Sequence, residues 1–374
     1  MSQGLGTVLR MVDTAHTAHT TTFVSAHPGD HAFVGGHVQL REEREAAMHE
    51  LLAPGATRPI GAGNRAHEEA PDLYRLCFER DLDRVKHSAP WRRLAGKCQV
   101  FVAPEDDHLR TRLTHCIEVA QVATSIARPV GLCLPLTEAI ALAHDCGHGP
   151  AGHASEEALS PYLPGGYDHA VYGADVTLAP LNLCMETLDG VRNHSWRRPA
   201  PRTPEGEVVA WADRIAYVCH DFEDAVRAGI LRPDELPSAV GDVVGRRRSE
   251  QIDAFVRAVL DTISSSGRVG MTPSAAEALA AFRAFNFERI YLRPASVRQA
   301  ERVIALLRGL VDYFVDAPAR IPNLATGWTP DLTSGSAATA EIAVRYVSGM
   351  TDRYALGLGV ELLGWKPEAL PRGV

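Results

Sequence analysis

The stretch LTEAIALAHDCGHGPAGHASEE, residues 136–157, decides how this chain is read. Its first half repeats apolar residues at three- and four-residue intervals, the period of a helix with one buried face. The run closes on an adjacent His144-Asp145 pair and a glycine-rich turn from Gly147 to Gly152. A polar pair inside an apolar run is costly unless something compensates it. His144 and His148 are four apart and Asp145 and His148 three apart, so all three can face one pocket. The turn's glycines let backbone approach a ligand closely, and His153 and Glu156 follow three apart on the next helical start. His148 reads equally as a catalytic group or as a hydrogen-bond support for a ligand.

Working outward, the runs HLRTRLTHCIEVAQVATSIARPV (108–130) and EGEVVAWADRIAYVCHDFEDAVRAG (205–229) carry the same period, each with one candidate ligand, His115 and Asp213. Two imidazoles and two carboxylates from His115, His144, Asp145 and Asp213 form a mixed nitrogen and oxygen set. It suits a divalent ion of the group Mg, Mn, Fe, Co, Ni or Zn. On an octahedral ion it leaves two positions for water and phosphate oxygens. Asp213, Tyr217 and Asp221 recur every four residues, so one helical face offers a carboxylate, a phenol and a second carboxylate in a row.

The rest of the composition bounds the class. The chain has 374 residues, 45% hydrophobic and 22% charged, enough for a substantial core in a globular protein. No apolar run approaches the roughly 20 residues that span a bilayer, and the start MSQGLGTVLRMVDTAHTAH lacks a signal-peptide pattern, so a cytoplasmic protein is expected. Seven scattered cysteines with no Cys-x-x-Cys argue against disulfides and thiolate zinc, and read as small buried hydrophobes. A net charge of -8 disfavours a broad nucleic-acid surface and suits small phosphorylated ligands.

Strand-like alternation is scarce, and from Ala66 onward the helical period dominates, so the expectation is an all-α fold. Residues 66–374 form one large helical domain, preceded by a poorly ordered arm over residues 1–65. The arm's His16, His19, His27, His31 and His37 could recruit metal but lack helical spacing and carboxylate partners, so a polar extension is the better reading. The Arg192–Glu205 stretch is a Pro- and Arg-rich connector, suited either to solvation or to placing cations near an anion.

These motifs together resemble the HD superfamily, and within it the deoxyguanosine triphosphate triphosphohydrolase-like proteins. WRRLAGKCQVF, RTRLTHCIEVAQVATSIA, LTEAIALAHDCGHGPAGHASEEAL, LNLCMETLDGVRNHSW, EGEVVAWADRIAYVCHDFEDAVRAG, FNFERIYLRPASV and YVSGMTDRYAL stand in that family's order, spanning roughly Leu73 to Gly364. The resemblance implies an HD-domain helical fold. It also implies a metal at His115, His144, Asp145 and Asp213, and a phosphate contact from Arg112. His169, in GGYDHAVYG, corresponds to the family's catalytic histidine, with Glu156 orienting it. Arg214, Tyr217 and Asp221 match positions that touch phosphates or deoxyribose in related hydrolases, and Arg293 matches less closely because YLRP replaces the usual YRHP. The sequence departs from the family in AVYGADV after His169 and in the short RRPAPRTPE connector, which bears on base recognition.

The reaction implied is hydrolysis of a deoxynucleoside triphosphate at the α-phosphorus to a nucleoside and inorganic triphosphate, with His169 moving a proton. Homo-oligomerisation is expected from the resemblance alone. The alternatives are an HD phosphohydrolase acting on another nucleotide, such as a modified monophosphate, and a nucleotide-binding regulator without turnover. A nucleic-acid hydrolase ranks below both on charge.

Overall fold

The structure is a computed structural model that describes residues 10–14, 21–25, 34–102, 106–322 and 333–371. The chain divides into two units, Met1–Gln39 and Leu40–Val374. In the first, strands β1 (Arg10–Thr14) and β2 (Thr21–Ser25) pair antiparallel, with Arg10 opposite Ser25 and Thr14 opposite Thr21. The segments carrying His16, His19, His27 and His31 lie outside the described residues, as does the expected poor order of the arm.

The second unit is all-α. Its helices run α1 (Arg41–Leu51), α2 (Cys77–His87), α3 (Ala89–Arg93), α4 (Arg112–Ala127), α5 (Leu134–Ala143), α6 (His153–Leu159), α7 (His169–Tyr172) and α8 (Met185–Asn193). They continue with α9 (Pro204–Arg227), α10 (Ser238–Val244), α11 (Arg248–Ser266), α12 (Pro273–Asn286), α13 (Pro294–Asp316), α14 (Ala337–Ser348) and α15 (Asp352–Leu363). Local chemistry sets the ends of the central ones. Thr111 and Thr114 cap α4 reciprocally, at 3.4 Å from the Thr114 amide and 3.1 Å from the Thr111 amide. Thr203 accepts from the Gly206 amide at 3.1 Å with Pro204 opening α9, and α9 is followed by Gly229 at φ 69°.

Two clusters of buried side chains fill the unit. One joins α2, α4, α5, α9, α11 and α12, and the other packs α6 against α13, α14 and α15. The helices α4, α5 and α9 therefore belong to the first core, and α6 to the second.

The arm is shorter than expected, ending near Gln39 and not near residue 65. The buried Glu205 carboxylate of α9 accepts from the Thr57 amide at 3.0 Å, the Thr57 hydroxyl at 2.7 Å and the Cys133 amide at 3.0 Å. Arg65 likewise meets the buried Asp81 at 2.6 Å. Residues 52–65 have no helical period, yet their polar groups complete the body.

Candidate metal and active site

Four helices and one turn bring the chemistry together. α4 supplies His115, the residues after α5 supply His144 and Asp145, α9 supplies Asp213, and α8 ends just before His194. His115 Nε2 lies 3.0 Å from Asp213 Oδ1, and His144 Nε2 lies 3.4 Å from Asp145 Oδ1 and 3.7 Å from Asp213 Oδ1. All but Asp213 are almost wholly buried.

The tautomer of the neutral His144 ring follows from its other nitrogen. Nδ1 sits 2.7 Å from the Ala141 carbonyl and must donate, so Nε2 presents a bare lone pair, and it has no hydrogen-bond partner. A lone pair facing two carboxylate oxygens is an arrangement of acceptors that needs a cation between them. The imidazole and carboxylate set therefore fits a divalent ion. Burial alone would raise the Asp145 carboxyl, but the Arg112 guanidinium holds it well below the usual range. Asp213 is likewise held low against its burial, by the hydrogen bond from His115. Both are ready as anions.

Arg112, which the resemblance puts on a substrate phosphate, also has a partner within the protein. Its Nη1 donates to Asp145 Oδ2 at 2.6 Å, it is 2% exposed, and Gly152 at φ 61° leaves room for it where a Cβ would collide. His148 lies 3.3 Å from Asp145 Oδ1, stacks on His169 with ring centroids 3.7 Å apart, and is kept neutral by burial and the charge of Arg112.

His169, on the short helix α7, is the most fully engaged histidine. Glu156 Oε1 meets its Nδ1 at 2.5 Å, and the His194 Nε2 stands 3.2 Å from its Nε2. His194 Nδ1 donates to the Val191 carbonyl at 2.7 Å, so its Nε2 accepts and the proton in that contact belongs to His169. With a carboxylate on one side and an acceptor on the other, His169 carries both protons. Burial opposes this, but Glu156 overrides it and raises the group, whereas burial beside His144 and His169 pushes His194 down to about 4. His153 is largely exposed and reaches the other oxygen of Glu156 at 3.0 Å.

His194 was not singled out from the sequence. Its ring packs against both His144 and His169, at 4.9 and 5.1 Å between centroids, and it can join a ligand set with His144 and Asp213. The sequence signal was only its place at the end of LNLCMETLDGVRNHSW. The α9 face holds further surprises. The Arg214 guanidinium lies 3.7 Å from the centre of the Trp196 ring, and Tyr217 accepts from Arg283 Nε at 3.0 Å. Asp221 is 2% exposed, with its oxygens taken by Arg110 and by the Tyr291 hydroxyl. Arg293 precedes α13, bonds Ser296 at 2.9 Å and retains a buried Nη2 without a partner. No hydrogen bond joins Arg293 to the histidine cluster among the described residues.

Comparison with known proteins fits this arrangement. The HD domain family matches residues 112–218, bracketing every candidate ligand, and the phosphohydrolase-associated domain family matches residues 269–359. The deoxyguanosinetriphosphate triphosphohydrolase-like protein of Caldanaerobacter subterraneus subsp. tengcongensis is 39% identical over 325 residues, covering 85% of this chain and 94% of that one. This chain belongs to that HD-domain phosphohydrolase family. Family members from Clostridium perfringens strain 13 (38% identity, 78% of this chain and 87% of that one) and Jannaschia sp. (34%, 84% and 96%) bear the same name. Among solved structures, a hypothetical protein from Aquifex aeolicus superposes with a TM-score of 0.47 at 16% identity, covering 77% of this chain and 69% of that one. As a member of the family the protein is a hydrolase, and no described helix is long and apolar enough to cross a membrane.

Proposed function

We propose that the protein hydrolyses deoxynucleoside triphosphates to deoxynucleoside and inorganic triphosphate, using a divalent ion at His115, His144, Asp145 and Asp213. The observation that carries this reading is the unpartnered His144 Nε2 facing the Asp145 and Asp213 carboxylates, in a chain whose relatives are named for that activity. A divalent ion held there would supply Lewis acidity toward phosphate and would lower the pKa of a water.

The chain's own residues do the rest. Arg112 keeps Asp145 ionised and aimed, and so acts on the substrate through that carboxylate. Glu156 holds the His169 proton-rich, and the proton on Nε2, resting against His194, is the one available to the departing 5′-oxygen. Arg214 is the phosphate-facing cation, preoriented by Trp196. Tyr217 packs beneath the sugar, where a ribose 2′-hydroxyl would crowd it. Asp221 acts on the 3′-hydroxyl together with Tyr291, the residue it already binds.

The test is product analysis with purified protein, Mg or Mn, and a panel of deoxynucleoside and ribonucleoside triphosphates and monophosphates. In isotopically heavy water the label is expected in inorganic triphosphate and not in the nucleoside. Orthophosphate with a nucleoside diphosphate, or pyrophosphate with a monophosphate, would refute attack at the α-phosphorus. Turnover confined to monophosphates would assign the metal site to a different nucleotide.

A further inference from the structure

Two buried charged side chains hold the glycine-rich turn that follows Asp145. Lys97, in the segment between α3 and α4, donates through its ammonium to the His148 carbonyl and to the Ser348 carbonyl, the latter at 2.9 Å. Its own carbonyl accepts from the Arg112 amide at 2.9 Å, where α4 begins. Asp352, the first residue of α15, divides its two oxygens: one accepts from the Cys98 amide and the other from the Ala151 amide, each at 2.8 Å. The two segments approach closely, since a Cβ on Gly96 would come within 2.8 Å of the Thr351 side chain.

Two costs point beyond stability. Lys97 forms no ion pair among the described residues, so a cation is buried against carbonyls alone, where an apolar side chain would avoid the desolvation. Ala151 stands at φ 58°, a left-handed conformation that is unfavourable for a residue with a Cβ and persists only where its surroundings enforce it. The Asp352 carboxylate on the Ala151 amide is such a contact. Gly152 follows at φ 61°, and the chain then enters α6, which carries Glu156 to His169.

We propose that Lys97 and Asp352 are positioning residues for the hydrolysis, fixing the turn at residues 148–152 so that α6 delivers Glu156 to His169. Ser348 and Asp352 both lie in the stretch that matches the phosphohydrolase-associated domain family, so the C-terminal helices act on the chemistry through this turn. The inference rests on the reading of His169 as the proton donor.

The experiment is a double-mutant cycle between Asp352→Asn and Glu156→Gln in the full chain, reading metal content and kcat on whichever nucleotide the product panel shows to turn over. Asparagine keeps the shape of the side chain but offers one acceptor oxygen and turns an NH2 group toward the second amide. Asp352→Asn is expected to bind metal as the wild type does and to lose about tenfold or more in kcat. In the Glu156→Gln background the same change should cost about twofold or less, because the carboxylate that the turn positions is already gone. Amide hydrogen exchange at residues 148–153 should quicken in Asp352→Asn without substrate, which reads the turn independently of any reaction. Lys97→Met deletes both donors at similar length and should repeat the pattern; where it fails to fold, Asp352→Asn decides. An equal loss in both backgrounds overturns the proposal, since a purely structural defect lowers the active fraction whatever residue 156 is. Wild-type kcat or unchanged exchange in Asp352→Asn also overturns it. The substrate reading fails in the product panel and the His169 reading in His169→Ala, neither of which involves Asp352, so a failed cycle beside both results intact defeats this inference alone.

Discussion

His169 is pinned between Glu156 and a neutral His194, and this decides what its loss should do. Replacing it with alanine leaves His115, His144, Asp145 and Asp213 in place, so metal content is expected to stay while kcat falls by roughly two to four orders of magnitude. Wild-type turnover in that variant would move the proton transfer to His148. Glu156→Gln has a signed consequence. Glu156 raises His169, so the histidine loses its proton only as pH climbs through that elevated value. Without the carboxylate the alkaline limb of the kcat profile should move to lower pH, and an unmoved limb would show that Glu156 does not set the proton. Asp145→Ala should lose metal and turnover together, read by metal analysis of the purified protein beside the assay. Spacing made His115, His144, Asp145 and Asp213 legible because each lies in a periodic run. It could not find His194, whose position is fixed by the end of α8 and by contacts with residues distant in sequence. Nor could it show that Arg112 faces Asp145, since periodicity gives a face but not the partner on that face.

At the scale of elements, the long helices α4, α5 and α9 were readable from their period, whereas α7 spans four residues and passes directly into a wide helical turn at Gly173–Thr177. No periodic signal fits in so short a stretch. What places α7 is Gly147, where an added Cβ would collide with the His169 carbonyl and come within 2.5 Å of the Gly173 amide nitrogen. Both obstacles are backbone and cannot rotate away. Gly147→Ala is therefore expected to push α7 off the metal turn, lowering the melting temperature and cutting kcat by more than tenfold even with metal bound. A variant with wild-type kcat would mean the two segments can separate without cost to the chemistry.

For the molecule as a whole, local pattern was weakest at the arm. It assigned residues 40–65 to an extension because the coil after α1 has no period, but Glu205 and Asp81 secure that coil through buried polar groups far away in sequence. Glu205→Ala strips the Thr57 and Cys133 amides of their acceptor and should cost roughly 2–4 kcal/mol, measured as a lower denaturant midpoint at unchanged slope. An unaltered midpoint would make the coil dispensable. Thr57 and Glu205 are also 148 residues apart, which has a meaning in time as well as in space. At roughly 5–20 residues per second, a ribosome delivers the carboxylate about 7–30 seconds after the amide it must satisfy. Throughout that interval the nascent segment has polar groups with no permanent acceptor and apolar neighbours with no core to enter. The first stretch of the helical body to be made is thus among the last able to settle, and the window is long enough for a chaperone to hold it.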